Sequence, residues 1–145
     1  VEFLRALLSL GNLQEAYQQM QRAVNAYLNT QSFNPAEIKY YERVLLQNIA
    51  AAPEQQINSS GYVVHTLESS LWCLLTTSDY RTCVLRAVNL GGDTDTTGAV
   101  AGAAAGLHYG IDSISPEWTS QMVKSAEIGH LANRFIAAIN TTSTQ

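Results

Sequence analysis

The sequence predicts an all-α protein, and three observations carry that prediction. Apolar residues recur at spacings of three and four, helix-start signals punctuate the chain, and no segment sustains the alternation that a half-buried strand needs. Val1 to Leu10 already runs in helical pattern. Leu13, Ala16, Tyr17, Met20, Val24, Tyr27 and Leu28 then form one face of an amphipathic helix opened by an Asn12/Glu15 capping pair. Asn34, Pro35 and Glu37 supply a cap, a first-turn proline and a first-turn acid. Ile38, Tyr41, Leu45 and Ile49 continue that stripe, so one helix is expected up to Pro53.

Pro53 to Gly61 reads as a polar loop. Val63 to Leu75 and Asp79 to Val88 read as two further helices, joined by Thr76-Thr77-Ser78 with Ser78 or Asp79 as cap. A helix of small residues opens at about Thr94 and runs through Gly106. Ser115-Pro116-Glu117 announces another start, and Ile128, Leu131, Ala132, Phe135, Ile136 and Ile139 make a final apolar face before a tail, Asn140 to Gln145, expected to fray.

With 145 residues, 46% of them hydrophobic and 14% charged, the chain has enough apolar side chains for one core. Residues 1–145 are expected to be a single all-α domain or the C-terminal half of a larger one, because the chain opens on Val1 in mid-pattern. A formal charge of −4 without Lys/Arg clusters excludes nucleic acid and anionic membranes as expected partners, both of which need a basic face. The longest stretch free of Asp, Glu, Lys and Arg, Thr96 to Ile111, falls short of the ~20 apolar residues of a membrane span. Glu2 and Arg5 interrupt the first apolar stretch, so it does not read as a signal peptide. Cys73 and Cys83 are too few for a disulfide framework and sit in apolar helical pattern, which points to a cytoplasmic protein with reduced thiols.

The densest chemistry lies in Leu90-Gly91-Gly92-Asp93-Thr94-Asp95-Thr96-Thr97-Gly98. Asp93, Asp95 and Thr96 offer only oxygen donors, which suit a hard divalent cation such as magnesium, manganese or calcium. Gly91 and Gly92 let the backbone turn sharply through positive φ. Both acids would stand at the positive end of a helix dipole, which favours the ionised carboxylate. Capping alone would require one acid; two acids beside paired glycines favour ligation. The following Gly98, Gly102, Gly106 and Gly110 recur every four residues and are expected to give a flat side for a neighbouring helix backbone. Interior glycine costs roughly 0.5–1 kcal/mol against alanine, a loss that close packing is expected to offset. That helix belongs at the centre, with its acidic N-terminus at the mouth of a helix-lined cleft.

Two short-motif readings fail on context. An EF-hand loop started at Asp93 would need a glutamate where Ala104 stands. A haloacid-dehalogenase-like phosphatase would place Asp93 at the end of a buried strand, whereas Tyr80 to Asn89 carries helix spacing. Thr94 and Thr97 read as caps or packing residues, and Trp72 and Trp118 as core aromatics. His65, His108 and His130 are scattered without partners at ligand spacing, and Glu68 reads as solvated or salt-bridged.

A longer string is more specific. Ala87 to Gly98 with its GGDTDT core, followed by Ala101-Gly102 and Ala105 to Gly110, closely resembles the C-terminal signature of the ADP-ribosylglycohydrolase family. Gly61-Tyr62-Val63-Val64, Thr66-Leu67-Glu68, Leu71-Trp72 and the stretch Ile114 to Trp118 resemble the same family's flanking segments, so the resemblance spans roughly Ser59 to Phe135. It implies a compact helical bundle and a metal-dependent hydrolase that cleaves the glycosidic bond between ADP-ribose and an acceptor, a protein side chain or small molecule. It implies two magnesium ions, with manganese as the alternative. Asp93, Asp95 and Thr96 match the family's second-half ligands, and Gly61, Tyr62, Gly91 and Gly92 are candidates for contacting substrate. The first-half Thr-Asp-Asp ligands and the acid/base glutamate have no counterpart here, since no two aspartates are adjacent. The catalytic acid or base is therefore expected outside this chain, in an N-terminal half of the same protein. The contrasting reading is an inactive helical module that binds ADP-ribose-like ligands.

Overall fold

The structure, a computed structural model, describes residues 1–142. Among them there is no strand, and helices account for almost all regular structure. Residues 1–113 form one compact unit and the chain from Ile114 onward a second.

The first unit begins with α1 (Glu2–Leu10), stopped by Gly11 at φ 68°, and α2 (Leu13–Asn29). Asn12 caps α2 as its sequence requires, accepting from the Glu15 amide at 3.0 Å. The expected helix from Asn34 to Pro53 does not form as one piece. It resolves into α3 (Pro35–Ile38), a 3₁₀ turn at Lys39–Tyr41, α4 (Glu42–Leu45) and a further 3₁₀ turn at Ile49–Ala51. The cause lies on α2. Tyr17 Oη donates to the carbonyls of Val44 (2.8 Å) and Gln47 (3.2 Å), Gln21 Nε2 donates to the same two, and Asn25 Nδ2 donates to Leu45 O at 2.9 Å. Carbonyls left free at the end of a helix are thus satisfied by side chains from elsewhere, and the chain turns away after Leu45 at little cost.

The polar segment that follows contains a 3₁₀ turn at Glu54–Gln56 and a buried Ile57. α5 (Val63–Leu75) and α6 (Tyr80–Asn89) fall where their periodicity places them, and Asp79 caps α6 by accepting from Thr82 N at 2.8 Å. α7 (Thr94–Tyr109) packs against α6, α5 and α1. Thr97, Ala101 and Ala105 on its inner side are fully buried. Ala101 and Ala105 belong to the core with Tyr17, Ile49, Trp72, Cys73, Leu74 and Cys83. Full burial of an aliphatic side chain such as Leu74 contributes roughly 1.5–3 kcal/mol. Trp72 also donates from Nε1 to Ala52 O at 2.9 Å, and Arg86 lies over its ring.

The glycine row of α7 does face a neighbouring helix, with unequal fit. A β-carbon at Gly98 would come within 3.1 Å of Val88 Cγ1, at Gly102 within 3.4 Å of Val84 Cγ2, and at Gly106 only within 3.7 Å of Tyr80. Close packing therefore explains Gly98 and Gly102, not Gly106. Gly110 serves differently, ending the helix at φ 83°.

An apolar groove of about 760 Å³ runs beside the middle of α7, walled by residues of α1, α2 and α5. Only Glu2, Tyr41 and Ser70 bring polar side chains to its lining.

In the second unit, α8 (Pro116–Gln121) has its proline in the first turn, and Lys124 at φ 62° leads into α9 (Ser125–Thr142). Trp118 is partly buried. The helix runs through the start of the tail expected to fray; residues 143–145 lie outside the described residues.

Candidate active site

The acidic loop is built by three constraints acting on residues 90–93. Gly91 and Gly92 both take positive φ, 79° and 67°, which a residue with a β-carbon rarely adopts. Ser59, 8% exposed, fixes the turn from the opposite side. Its Oγ donates to Gly91 O at 2.7 Å, and its carbonyl accepts from Asp93 N at 2.7 Å. A β-carbon on Gly92 would stand 2.6 Å from that carbonyl oxygen, so both conformation and space demand glycine there. Gly91 and Gly92 thus act as builders of the loop.

Asp93 occupies the cap position of α7 yet makes no side-chain capping hydrogen bond. Its carboxyl is turned to Asp95 instead. Asp95, in the first turn, accepts from Thr96 N at 3.0 Å. A hydrogen bond with the Asp93 carboxyl, then the Thr96 and Asp95 backbone amides, hold the Asp95 carboxyl below the usual carboxylate range. The two acids are therefore neighbours in space, Asp93 half-buried and Asp95 exposed beside exposed Thr96. Two carboxylates so placed repel unless a proton or a cation lies between them.

Gly61 belongs to the same place. A β-carbon there would meet Asp93 Oδ2 at 2.9 Å, so the residues ahead of α5 lie directly against the acid loop. Tyr62, the cap residue of α5, is 45% exposed. The turn ahead of α5 carries Ser60 and the helix's first turn carries His65, whose Nδ1 lies 2.8 Å from Ser60 Oγ.

Other candidates fall elsewhere. Glu68 is buried on α5 and paired with Arg43 at 3.3 Å, the salt-bridged alternative of the sequence reading; Arg43 Nη1 also donates to Gln56 O at 3.0 Å. Thr97 is a packing residue, fully buried. The acids do not line the large groove, which flanks the middle of α7 while they stand at its N-terminal end. That differs from the expected mouth of a cleft. Sequence reasoning missed Ser59 and the Ser60–His65 pair, because a Ser-Ser-Gly stretch in a polar loop looks like any other turn.

The donor chemistry fits a hard divalent cation: carboxylate and hydroxyl oxygens, no soft ligand, and acids at a helix N-terminus. The set is partial, since among the described residues no group of three or more His, Cys, Asp or Glu could hold a metal ion. Asp93, Asp95 and Thr96 would supply one side of a coordination shell whose other ligands are water or residues beyond this set.

The chain belongs to the ADP-ribosylglycohydrolase family, whose sequence pattern matches residues 2–145. It is 34% identical over 114 residues to ADP-ribosylarginine hydrolase Tri1 of Serratia proteamaculans (strain 568), covering 77% of this chain and 31% of that protein. It is 27% identical over 136 residues to ADP-ribosylhydrolase ARH3 of Danio rerio, covering 81% of this chain and 37% of that protein. The chain thus spans about a third of the length of these curated relatives.

Proposed function

We propose that this chain is the C-terminal portion of a metal-dependent hydrolase that cleaves the glycosidic bond between ADP-ribose and an acceptor, and that it contributes one half of a two-metal site. The observation that carries the reading is the Asp93–Asp95 pair, held at the start of α7 by Gly91, Gly92 and Ser59 with Asp93 not engaged as a cap. Asp93, Asp95 and Thr96 are the ligands this chain would offer to magnesium, or to manganese in its place. When bound, such an ion supplies Lewis acidity toward the ribose oxygens and a water of lowered pKa. The chain's own part is to orient: Asp93 lies against Gly61, and the exposed ring of the adjoining Tyr62 would offer a wall for the sugar.

The remaining ligands and the general acid or base belong to an N-terminal half of the same protein. The apolar groove beside α7 supports this, since a surface so poor in polar groups favours cover by another apolar element. ADP-ribosylarginine is the first acceptor to test, by similarity to Tri1. A cytoplasmic location is part of the proposal and rests on two buried free thiols.

The test is calorimetry of magnesium and ADP-ribose with the full-length polypeptide, beside turnover of an ADP-ribosylated arginine peptide. Expected are metal-dependent ADP-ribose binding and turnover, both abolished by Asp95→Asn and Asp93→Asn. Magnesium affinity unchanged in both variants would overturn the ligand assignment. Metal-dependent binding without turnover of arginine or serine conjugates would identify a binding module instead.

A further inference from the structure

Ser60, Tyr62 and His65 form a cluster that neither the acid loop nor the core employs. His65 Nδ1 lies 2.8 Å from Ser60 Oγ, and the same hydroxyl accepts from the Tyr62 amide at 3.3 Å. The Tyr62 and His65 rings meet edge to face, centroids 5.2 Å apart and planes at 89°. Both residues are anchored in regular helix: Tyr62 O accepts from Thr66 N at 3.1 Å and His65 O from Ser69 Oγ at 2.7 Å. His65 is therefore tied back to the turn that precedes its own helix. Between Ser60 and Tyr62 in that turn sits Gly61, against Asp93 Oδ2.

We propose that His65, seated on Ser60, is a positioning residue that fixes the exposed ring of Tyr62, the residue next to the Gly61 that lies against Asp93, and so shapes the ADP-ribose subsite. The inference rests on the function proposed above and adds to it a residue with no role in ligating metal. An exposed tyrosine on a helix cap samples more than one rotamer, and a ring contact plus one hydrogen bond shifts such an equilibrium by roughly three- to tenfold. Ser60 and Tyr62 are exposed and His65 is half-buried, so altering the pair leaves the core intact.

The experiment uses the full-length protein in saturating magnesium, with ADP-ribose as the calorimetric probe and an ADP-ribosylated arginine peptide as substrate. In His65→Ala, the ADP-ribose Kd and the peptide KM are expected to rise roughly three- to tenfold while kcat stays within about twofold. Ser60→Ala is expected to do the same, and the double variant to be no worse than either single, because the two act as one unit. His65→Asn, which places a polar atom near the Nδ1 position, is expected to recover part of the lost affinity. Unchanged Kd and KM in His65→Ala, or a change confined to Tm or kcat, overturns the positioning role while leaving metal-dependent binding by the wild type intact. Absence of ADP-ribose binding by the wild type overturns the underlying function and this role together.

Discussion

Gly61 stands against the carboxylate of Asp93, with 2.9 Å between Asp93 Oδ2 and the place a β-carbon of residue 61 would take. The atom it would displace is the far end of a short side chain, not backbone. Gly61→Ala is therefore expected to leave the fold intact and to turn the carboxylate aside. Magnesium affinity should fall roughly 10- to 100-fold, as when groups that orient metal ligands are lost. Calorimetry beside a urea melt separates the two effects; weakened stability with unchanged magnesium affinity would remove Asp93 from the ligand set.

Tyr17 is the tie between α2 and the broken segment after α4. Its hydroxyl donates to Val44 O and also accepts from the buried Ile49 amide at 3.4 Å. Gln21 duplicates the carbonyl contacts but not the amide one. Tyr17→Phe is expected to cost about 1–3 kcal/mol in a urea melt, and Gln21→Ala less, because only the former leaves a buried donor without a partner.

The glycine row of α7 makes a graded prediction. Gly106 has 3.7 Å of room toward Tyr80, so Gly106→Ala is expected to stabilise by about 0.4–1 kcal/mol through reduced freedom of the unfolded chain. Gly98→Ala gains less or nothing, since Val88 Cγ1 would lie at 3.1 Å and must move. Thermal melts of the two variants check the order; equal gains would contradict the packing described.

Cys73 and Cys83 bear on stability at high pH. Burial pushes the Cys73 thiol from its ordinary 9.0 up to about 12, and burial raises Cys83 in the same direction. The folded state favours the protonated thiol, so this contribution is complete below pH 9.0 and is lost as pH climbs through about 12. Urea midpoints are expected to fall over that window, less steeply in Cys73→Ala. Near neutral pH both thiols should resist iodoacetamide until the chain unfolds. Rapid labelling of the folded protein would contradict their burial.

The helical class, the α5 and α6 boundaries, the caps at Asn12 and Asp79 and the positive φ of Gly91 and Gly92 were all legible, because each depends on residues within a few positions of one another. The pairing of Asp93 with Asp95 was legible for the same reason. What escaped depends on contacts between distant segments. The break after Leu45 is set by Tyr17, Gln21 and Asn25, and no periodicity in 34–53 encodes it. Ser59 matters only because the Gly91–Gly92 turn comes back to meet it, and Glu68 only because Arg43 does. Family resemblance supplied Gly61 and Tyr62 as candidates for contacting substrate, where composition offered nothing.

The Asp93 amide, which donates to Ser59 O, carries one more consequence. The loop that bears the acids and the strap ahead of α5 are stapled through main-chain atoms that no substitution other than proline at position 93 removes, so the two are expected to breathe as one body. The rate at which that single amide proton trades for deuterium is then a clock for the parting of acid loop and strap, readable without any substrate.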